Sequence, residues 1–175
     1  MKDKKTIIFD LDGTLAIIEK RRIKAGSPTG KTPTPSKMDW DVFFDPDNIK
    51  LDEPNIPVIK MAQMFDNDGF NIVIFSGRND RSFDATVEWL WDNKVPWDLL
   101  VMRPDKFKDK SWPIAKNNPA TPDMRFMPDE ILKKKMLDTF VDKDDVLMCV
   151  DDRQKVVDMW RENGLTCFQV APGNF

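Results

Sequence analysis

The chain contains no histidine and no tyrosine. Without imidazole there is no Ser-His-Asp triad, no Cys-His pair, no HExxH zinc site and no phosphohistidine route. Any acid–base chemistry falls to carboxylates, lysines or thiols. Cysteine is scarce too: Cys149 and Cys167 are too few for a disulfide scaffold, and both sit in apolar runs that predict buried free thiols. A cysteine phosphatase needs an arginine six residues after its nucleophile, where Lys155 and Gly173 stand instead. No apolar stretch approaches the ~18 residues of a membrane span, and the Met-Lys-Asp-Lys-Lys start lacks a signal-peptide core, so the expected location is the cytoplasm. Basic excess is also missing: the formal net charge is −3, unlike that of a bulk nucleic-acid binder.

What is present is a chain of 175 residues, 41% hydrophobic and 33% charged, the profile of one soluble globular domain. That length can bury an ordinary core without disulfide or metal staples. Five short apolar runs read as buried strands: Thr6 to Leu11, Asn71 to Ser76, Asp98 to Met102, Val146 to Val150 and Thr166 to Val170. Helical spacing falls between them. Pro57 opens one helix, with Val58, Met61, Ala62 and Phe65 on a face and Gly69 as its stop. A second runs from Ser82 to Asn93 with Phe83, Val87, Leu90 and Trp91 inward. A third follows Pro128 and buries Leu132, Met136, Leu137 and Phe140. A fourth, Gln154 to Asn163, buries Val156, Val157 and Trp160. Residues 16–53 read as a loop-rich insert with room for a short hairpin or helix, and residues 103–126 as a second loop. Strand and helix in alternation predict an α/β, Rossmann-like open parallel sheet of about five strands, helices on both faces and minimal cap insertions.

In such sheets the ligand site lies beyond the carboxyl ends of the strands. Asp10 and Asp12 leave the first predicted strand, Ser76, Gly77 and Arg78 the second, Arg103 the third, and Asp151 and Asp152 the fourth. Four carboxylates converging on one edge repel one another unless a cation sits among them. Their oxygens suit a hard ion, and Mg²⁺ is the usual choice when phosphate is the other ligand. Polar strand ends and turn-favouring aspartates would explain either pair alone, but not both after two buried strands.

The run DLDGTL at 10–15 resembles the first motif of the haloacid dehalogenase-like (HAD) phosphohydrolases. Ser76 resembles their second motif, a lysine opening the helix before the fourth strand the third, and Asp151-Asp152 the fourth. Ser76-Gly77-Arg78, Met102-Arg103-Pro104 and the closing run DDRQKVVDMWRENGLTCFQVAPGNF go further and resemble the 3′-phosphatase domain of the bacteriophage polynucleotide kinase–phosphatase family. Bifunctional members of that family carry an N-terminal P-loop kinase domain, for which 175 residues leave no room, so the expectation is a single phosphatase domain over 1–175. The stretch Ala25 to Thr32 imitates a Walker A loop, but Pro33 and Pro35 argue against a helix continuing from Lys31.

The resemblance implies Asp10 as nucleophile, forming an aspartyl-phosphate, and Asp12 as the acid–base that protonates the leaving oxygen and then activates water. It implies a Mg²⁺ held by the Asp10 carboxylate, the Asp12 carbonyl and Asp151 or Asp152. Gly13 permits the turn that places both aspartates, Thr14 bonds within it, and the Ser76 hydroxyl and Gly77 N–H face phosphate oxygens. The family places two apolar residues before the catalytic lysine, which selects Lys133, after Ile131 and Leu132, over Lys134 and Lys135. Arg78, Arg103 and Arg125 are candidates for gripping a phosphate, since guanidinium offers a planar fork.

Neither insert reaches the size of an independent cap domain, and an open site suits a polymer end. Local positive charge at Lys20, Arg21, Arg22 and Lys24, and at Arg103, Lys106, Lys108, Lys110 and Lys116, is placed to follow a phosphate backbone, with Phe107 and Trp112 to stack on bases. Solvated polar loops are the competing account of the same charges. The resemblance implies a 3′-phosphorylated DNA or RNA end as the expected substrate, with a separate kinase or ligase as partner. Two alternatives stay open: a small-nucleotide or sugar phosphatase, and a non-catalytic nucleic-acid-binding module.

Overall fold

A computed structural model describes residues 5–26, 38–104 and 124–173. The expected Walker-like residues 27–32 and the side chains of Lys106, Phe107, Lys108, Lys110, Trp112 and Lys116 lie outside the described residues.

The elements in chain order are β1 (Thr6–Phe9), β2 (Ala16–Ile17), α1 (Glu19–Lys24), α2 (Trp40–Phe43), α3 (Pro46–Ile49), β3 (Glu53–Pro54) and α4 (Ile56–Asn67). After them come β4 (Asn71–Asn79), α5 (Phe83–Asp92), β5 (Leu99–Arg103), α6 (Asp129–Phe140), β6 (Val146–Arg153), α7 (Gln154–Glu162) and β7 (Cys167–Gly173). Five strands form one sheet in the order β5-β4-β1-β6-β7, and every neighbouring pair is parallel. The chain winds outward from β1 through β4 to β5, then returns to β6 and winds the other way to β7. The order reverses between β1 and β6, and the carboxyl ends of those two strands flank a crevice there.

The period-two alternation of a strand sends its side chains to opposite faces. Ile7 and Phe9 join one core with Ile72, Ile74, Val58, Ala62 and Leu90, under α4 and α5. Ile8 joins the other with Val73, Phe75, Leu132, Met136, Val157 and Trp160, under α6 and α7. The same parity carries Asp10 and Asp151 towards α6 and α7, because each stands two residues beyond Ile8 and Cys149 of that second core.

Three details depart from the sequence reading. The insert at 16–53 is more ordered than expected: it holds α1, α2, α3 and a two-residue antiparallel pairing of β2 with β3. Strand β4 runs past Ser76 to Asn79 through a register irregularity. On α5 the inward stripe is Thr86, Trp89 and Leu90, whereas Trp91 is 82% exposed. The reason is polar: the Trp89 indole N–H donates to the Asp52 carbonyl at 3.0 Å, and an indole is buried where its N–H finds a partner. Among the described residues, no helix is long and apolar enough to cross a membrane.

Candidate active site

Asp10 stands one residue past β1, and its N–H donates to the Val150 carbonyl of β6 at 2.9 Å. Its carboxylate is engaged at both oxygens. Oδ1 accepts from the Lys133 ammonium at 2.5 Å, and Oδ2 accepts from the Thr14 hydroxyl at 3.0 Å. Lys133 also donates to Asp151 Oδ2 at 2.8 Å. Lys134, one residue on and about 100° around the helix, instead pairs with Asp138 at the surface. Asp151 is held further by the Trp160 indole N–H at 3.3 Å and by the N–H groups of Asp152 and Arg153 on its Oδ1.

The turn after β1 needs a glycine. Gly13 has φ +89°, and a Cβ there would lie 2.3 Å from Asp152 Oδ2. The turn is closed by Gly13 N–H to the Ala16 carbonyl at 2.8 Å and Ala16 N–H to the Leu11 carbonyl at 2.9 Å. Asn55, the residue before α4, secures it by donating to the Thr14 carbonyl at 2.8 Å. Asp12 and Asp152 are thereby brought to the same crevice.

Carboxylate oxygens of Asp10, Asp151 and Asp152 lie within 4.8 Å of one another, all buried. Three buried carboxylates against one ammonium leave negative charge uncompensated, and hard oxygen donors at that separation fit a divalent cation such as Mg²⁺. The strain shows in the proton affinities. Burial, then the neighbouring Asp151 charge, pushes Asp152 up to about 6. Burial raises Asp10 well above the usual carboxylate range, even though Lys133 pulls the other way. Burial would lower Lys133, but Asp10 and Asp151 outweigh it and hold the ammonium protonated.

Asp12 belongs to a different network. Its Oδ1 accepts from Arg21 at 2.6 Å and from Arg78 Nε at 2.7 Å. Both guanidiniums also bind Asp52: Arg21 at 2.8 and 3.0 Å, and Arg78 at 2.6 Å. Arg21, Arg78 and Asp52 side chains are wholly buried. Burial alone would raise Asp12, but the two guanidiniums overcome it and hold the carboxyl below its ordinary value.

Several expectations meet different partners. Arg21, expected in an exposed basic cluster, is fully buried because its charge is matched by Asp12 and Asp52. Arg78, expected at a phosphate, directs its guanidinium to Asp12, Asp52 and the Thr86 hydroxyl. Arg103, also expected at a phosphate, ties loops together: it donates to the carbonyls of Gly77, Met124 and Met127 at 3.0, 2.7 and 2.7 Å and pairs with Asp129. Arg125 lies over the Phe126 ring at 5.4 Å. Ser76 is buried, and its Oγ accepts from the Arg78 N–H at 3.1 Å. Gly77 closely abuts Asp129, whose Oδ1 would lie 2.8 Å from an added Cβ. Sequence reasoning missed Asp52 entirely; its one local signal was its place as the first of two acids, Asp52-Glu53, ahead of Pro54.

A parallel α/β sheet with Asp-x-Asp-Gly-Thr at its switch point defines the class: this is a HAD-type phosphatase domain. The model of the polynucleotide kinase PNKP phosphatase domain matches residues 33–175, and the chain belongs to that family. In the structure of a Pnkp1/Rnl/Hen1 complex, one chain is 28% identical, with 99% of this chain and 48% of that chain covered and a TM-score of 0.66. A chain of the Pnkp1/Rnl/Hen1 RNA repair complex is 29% identical, with 98% and 44% covered and a TM-score of 0.65. The present chain thus spans about half the length of those two proteins. A haloacid dehalogenase-like hydrolase from Streptococcus pneumoniae, 13% identical with 97% and 85% covered and a TM-score of 0.59, shares the fold.

Proposed function

We propose that this domain removes the 3′-phosphate from polynucleotide ends, DNA or RNA, through an aspartyl-phosphate on Asp10. The observation that carries the reading is the grouping of Asp10, Lys133 and Asp151 at the switch point, with Asp12 beside them on a separate arginine-held network. The likeness to the Pnkp1/Rnl/Hen1 RNA repair proteins supports a nucleic-acid end as substrate, and a separate kinase or ligase as partner.

Asp10 is the nucleophile: a carboxylate oxygen attacks phosphorus in line as the bond to the 3′-oxygen breaks. Asp12 delivers a proton to that leaving oxygen. In the second half Asp12 takes a proton from water, the water oxygen attacks phosphorus, and the acyl phosphate bond breaks to restore Asp10. The depressed proton affinity of Asp12 suits the second half, where the ionised form is required. Lys133 neutralises Asp10 against the incoming phosphate dianion, and Ser76 Oγ and Gly77 N–H face the phosphoryl oxygens. Asp10, Asp151 and Asp152, with the Asp12 carbonyl, would hold Mg²⁺, which supplies charge stabilisation on the transferring group.

The test compares phosphate release, with Mg²⁺ supplied, from a 3′-phosphorylated oligonucleotide, a 5′-phosphorylated one, a 3′-mononucleotide and a 5′-mononucleotide. The 3′-phosphorylated oligonucleotide is expected to be turned over fastest. Preference for a mononucleotide would remove the polymer-end reading, and no release from any of the four would remove the enzymatic one.

A further inference from the structure

The first insert places a rigid aromatic surface beside the phosphoryl site. Helix α2 is fastened at both ends to elements that build that site. On its inner side Phe43 is buried, the Arg21 guanidinium lies over its ring at 4.2 Å, and the Phe43 carbonyl accepts from Arg21 at 3.1 Å. That same guanidinium donates to Asp12, so one side chain separates α2 from the acid–base residue. On the other side Arg81, just beyond β4, donates to the carbonyls of Trp40, Asp41 and Phe44 at 3.3, 2.8 and 3.3 Å and to the Asp41 carboxylate at 2.9 Å. Strand β4 also delivers Ser76, Gly77 and Arg78.

Over this frame the Trp40 and Phe44 rings stack, with centroids 5.7 Å apart and planes at 19°. Phe43 meets both rings edge-on from beneath. Trp40 is nonetheless 43% exposed. An indole that is fixed in place yet left open to water marks a contact surface more than a core element. The neighbouring acids select what it contacts. Asp39 accepts from the N–H groups of Asp41 and Val42, Asp45 accepts from the Asp47 N–H, and Asp41 is paired with Arg81. Carboxylates around the ring disfavour an anionic group at that spot, and the indole, stacked on Phe44 on one side and 43% exposed, suits a neutral planar group, which a nucleobase supplies.

We propose that Trp40, backed by Phe44, is the stacking platform for a nucleobase of the strand whose terminal phosphate occupies the Asp10 site. This rests on the polynucleotide reading above and adds a base-binding subsite to it. The experiment is steady-state phosphate release by wild type, Trp40→Ala and Trp40→Phe, each on a 3′-phosphorylated oligonucleotide and on the same oligonucleotide with its two terminal bases deleted. On the base-bearing strand, Trp40→Ala should raise KM about tenfold with little change in kcat, the scale expected for one lost base–aromatic contact. Deleting the bases should cost the wild type a similar factor, and the two losses should not add. Trp40→Phe should recover most of the affinity. An unchanged KM for Trp40→Ala on the base-bearing strand would overturn the proposal and leave the ring as a seat for another protein segment. Equal losses on both strands would overturn it in favour of packing. A wild type that hydrolyses neither oligonucleotide would instead defeat the polynucleotide reading on which it rests.

Discussion

Asp52 is the residue whose charge has no purpose except through its partners. It is completely buried and binds the two guanidiniums that in turn bind Asp12. Removing one member of a buried ion network leaves another charge uncompensated, a loss of about 3–5 kcal/mol. Asp52→Asn is therefore expected to lower stability by that order in denaturant titration and to reduce kcat more than KM, since Asp12 loses its fixed orientation. Wild-type kcat in a folded Asp52→Asn protein would contradict a positioning role. Arg21→Lys should be similarly damaging, because an ammonium cannot reproduce the planar fork that spans Asp12, Asp52 and the Phe43 carbonyl. Retention of wild-type kcat by that variant would count against the fork.

At the same scale, the carboxylates Asp10, Asp12, Asp151 and Asp152 were legible from strand context, and Lys133 only through the family resemblance, which puts two apolar residues before the lysine. Arg21 and Asp52 were not. They lie 31 positions apart and are buried only because they meet. In isolation Arg21 reads as one member of a solvated basic cluster, and no local pattern says which member turns inward.

Among the elements, the junctions between strand and helix carry the tightest constraints. Asp129 opens α6, one turn before Lys133, and binds both Arg103 and Arg153. An alanine Cβ at Gly77 would approach its three carboxyl atoms to 2.8, 3.2 and 3.3 Å. Gly77→Ala is predicted to displace the start of α6 and reduce turnover at least tenfold, as kcat/KM would show. Gly69 offers the comparison: it has φ +85° but nothing within 4 Å of an added Cβ. Gly69→Ala should cost only backbone strain, of order 1 kcal/mol, and leave kcat intact. Equal effects on activity at the two sites would refute the packing argument.

The major elements were readable because apolar runs of strand length alternate with helical spacing. The short pieces α1 to α3 were not, since four- to six-residue helices carry too few periodic positions to stand out. The misplaced face of α5 has the same origin in a single side chain: periodicity weighs Trp89 and Trp91 alike, and the Asp52 carbonyl decides between them.

For the molecule as a whole, the acid cluster couples stability to pH and, on the proposed reading, to Mg²⁺. Asp152 is raised from an ordinary carboxylate value near 3.8 to about 6. Between those values the folded chain holds a proton that the unfolded chain has released. Its contribution to stability is therefore complete below about pH 4, falls as pH rises through the window, and is gone above about 6. Asp12, depressed below its ordinary value, acts in the opposite sense only at lower pH. In EDTA, lowering the pH from 7 to 5 should thus offset part of any other acid destabilisation, and Asp152→Asn should reduce that offset, the remainder belonging to Asp10, which burial also raises. The Tm increment on adding Mg²⁺ should be larger at pH 7.5 than at pH 5, because the ion must displace the proton at the lower pH. An increment independent of pH would mean that Asp152 does not contribute to the ion site.

The central claim is that a 3′-phosphoryl group passes through Asp10 on its way to water. A single-turnover reaction with an oligonucleotide carrying a radiolabelled 3′-phosphate, quenched in acid at successive times, measures this directly. The account predicts transient label on the protein, mapped to Asp10 by peptide mass spectrometry, absent with Asp10→Asn and absent with a 5′-labelled strand. Phosphate released at the full rate by Asp10→Asn, or label found on any other residue, would contradict it.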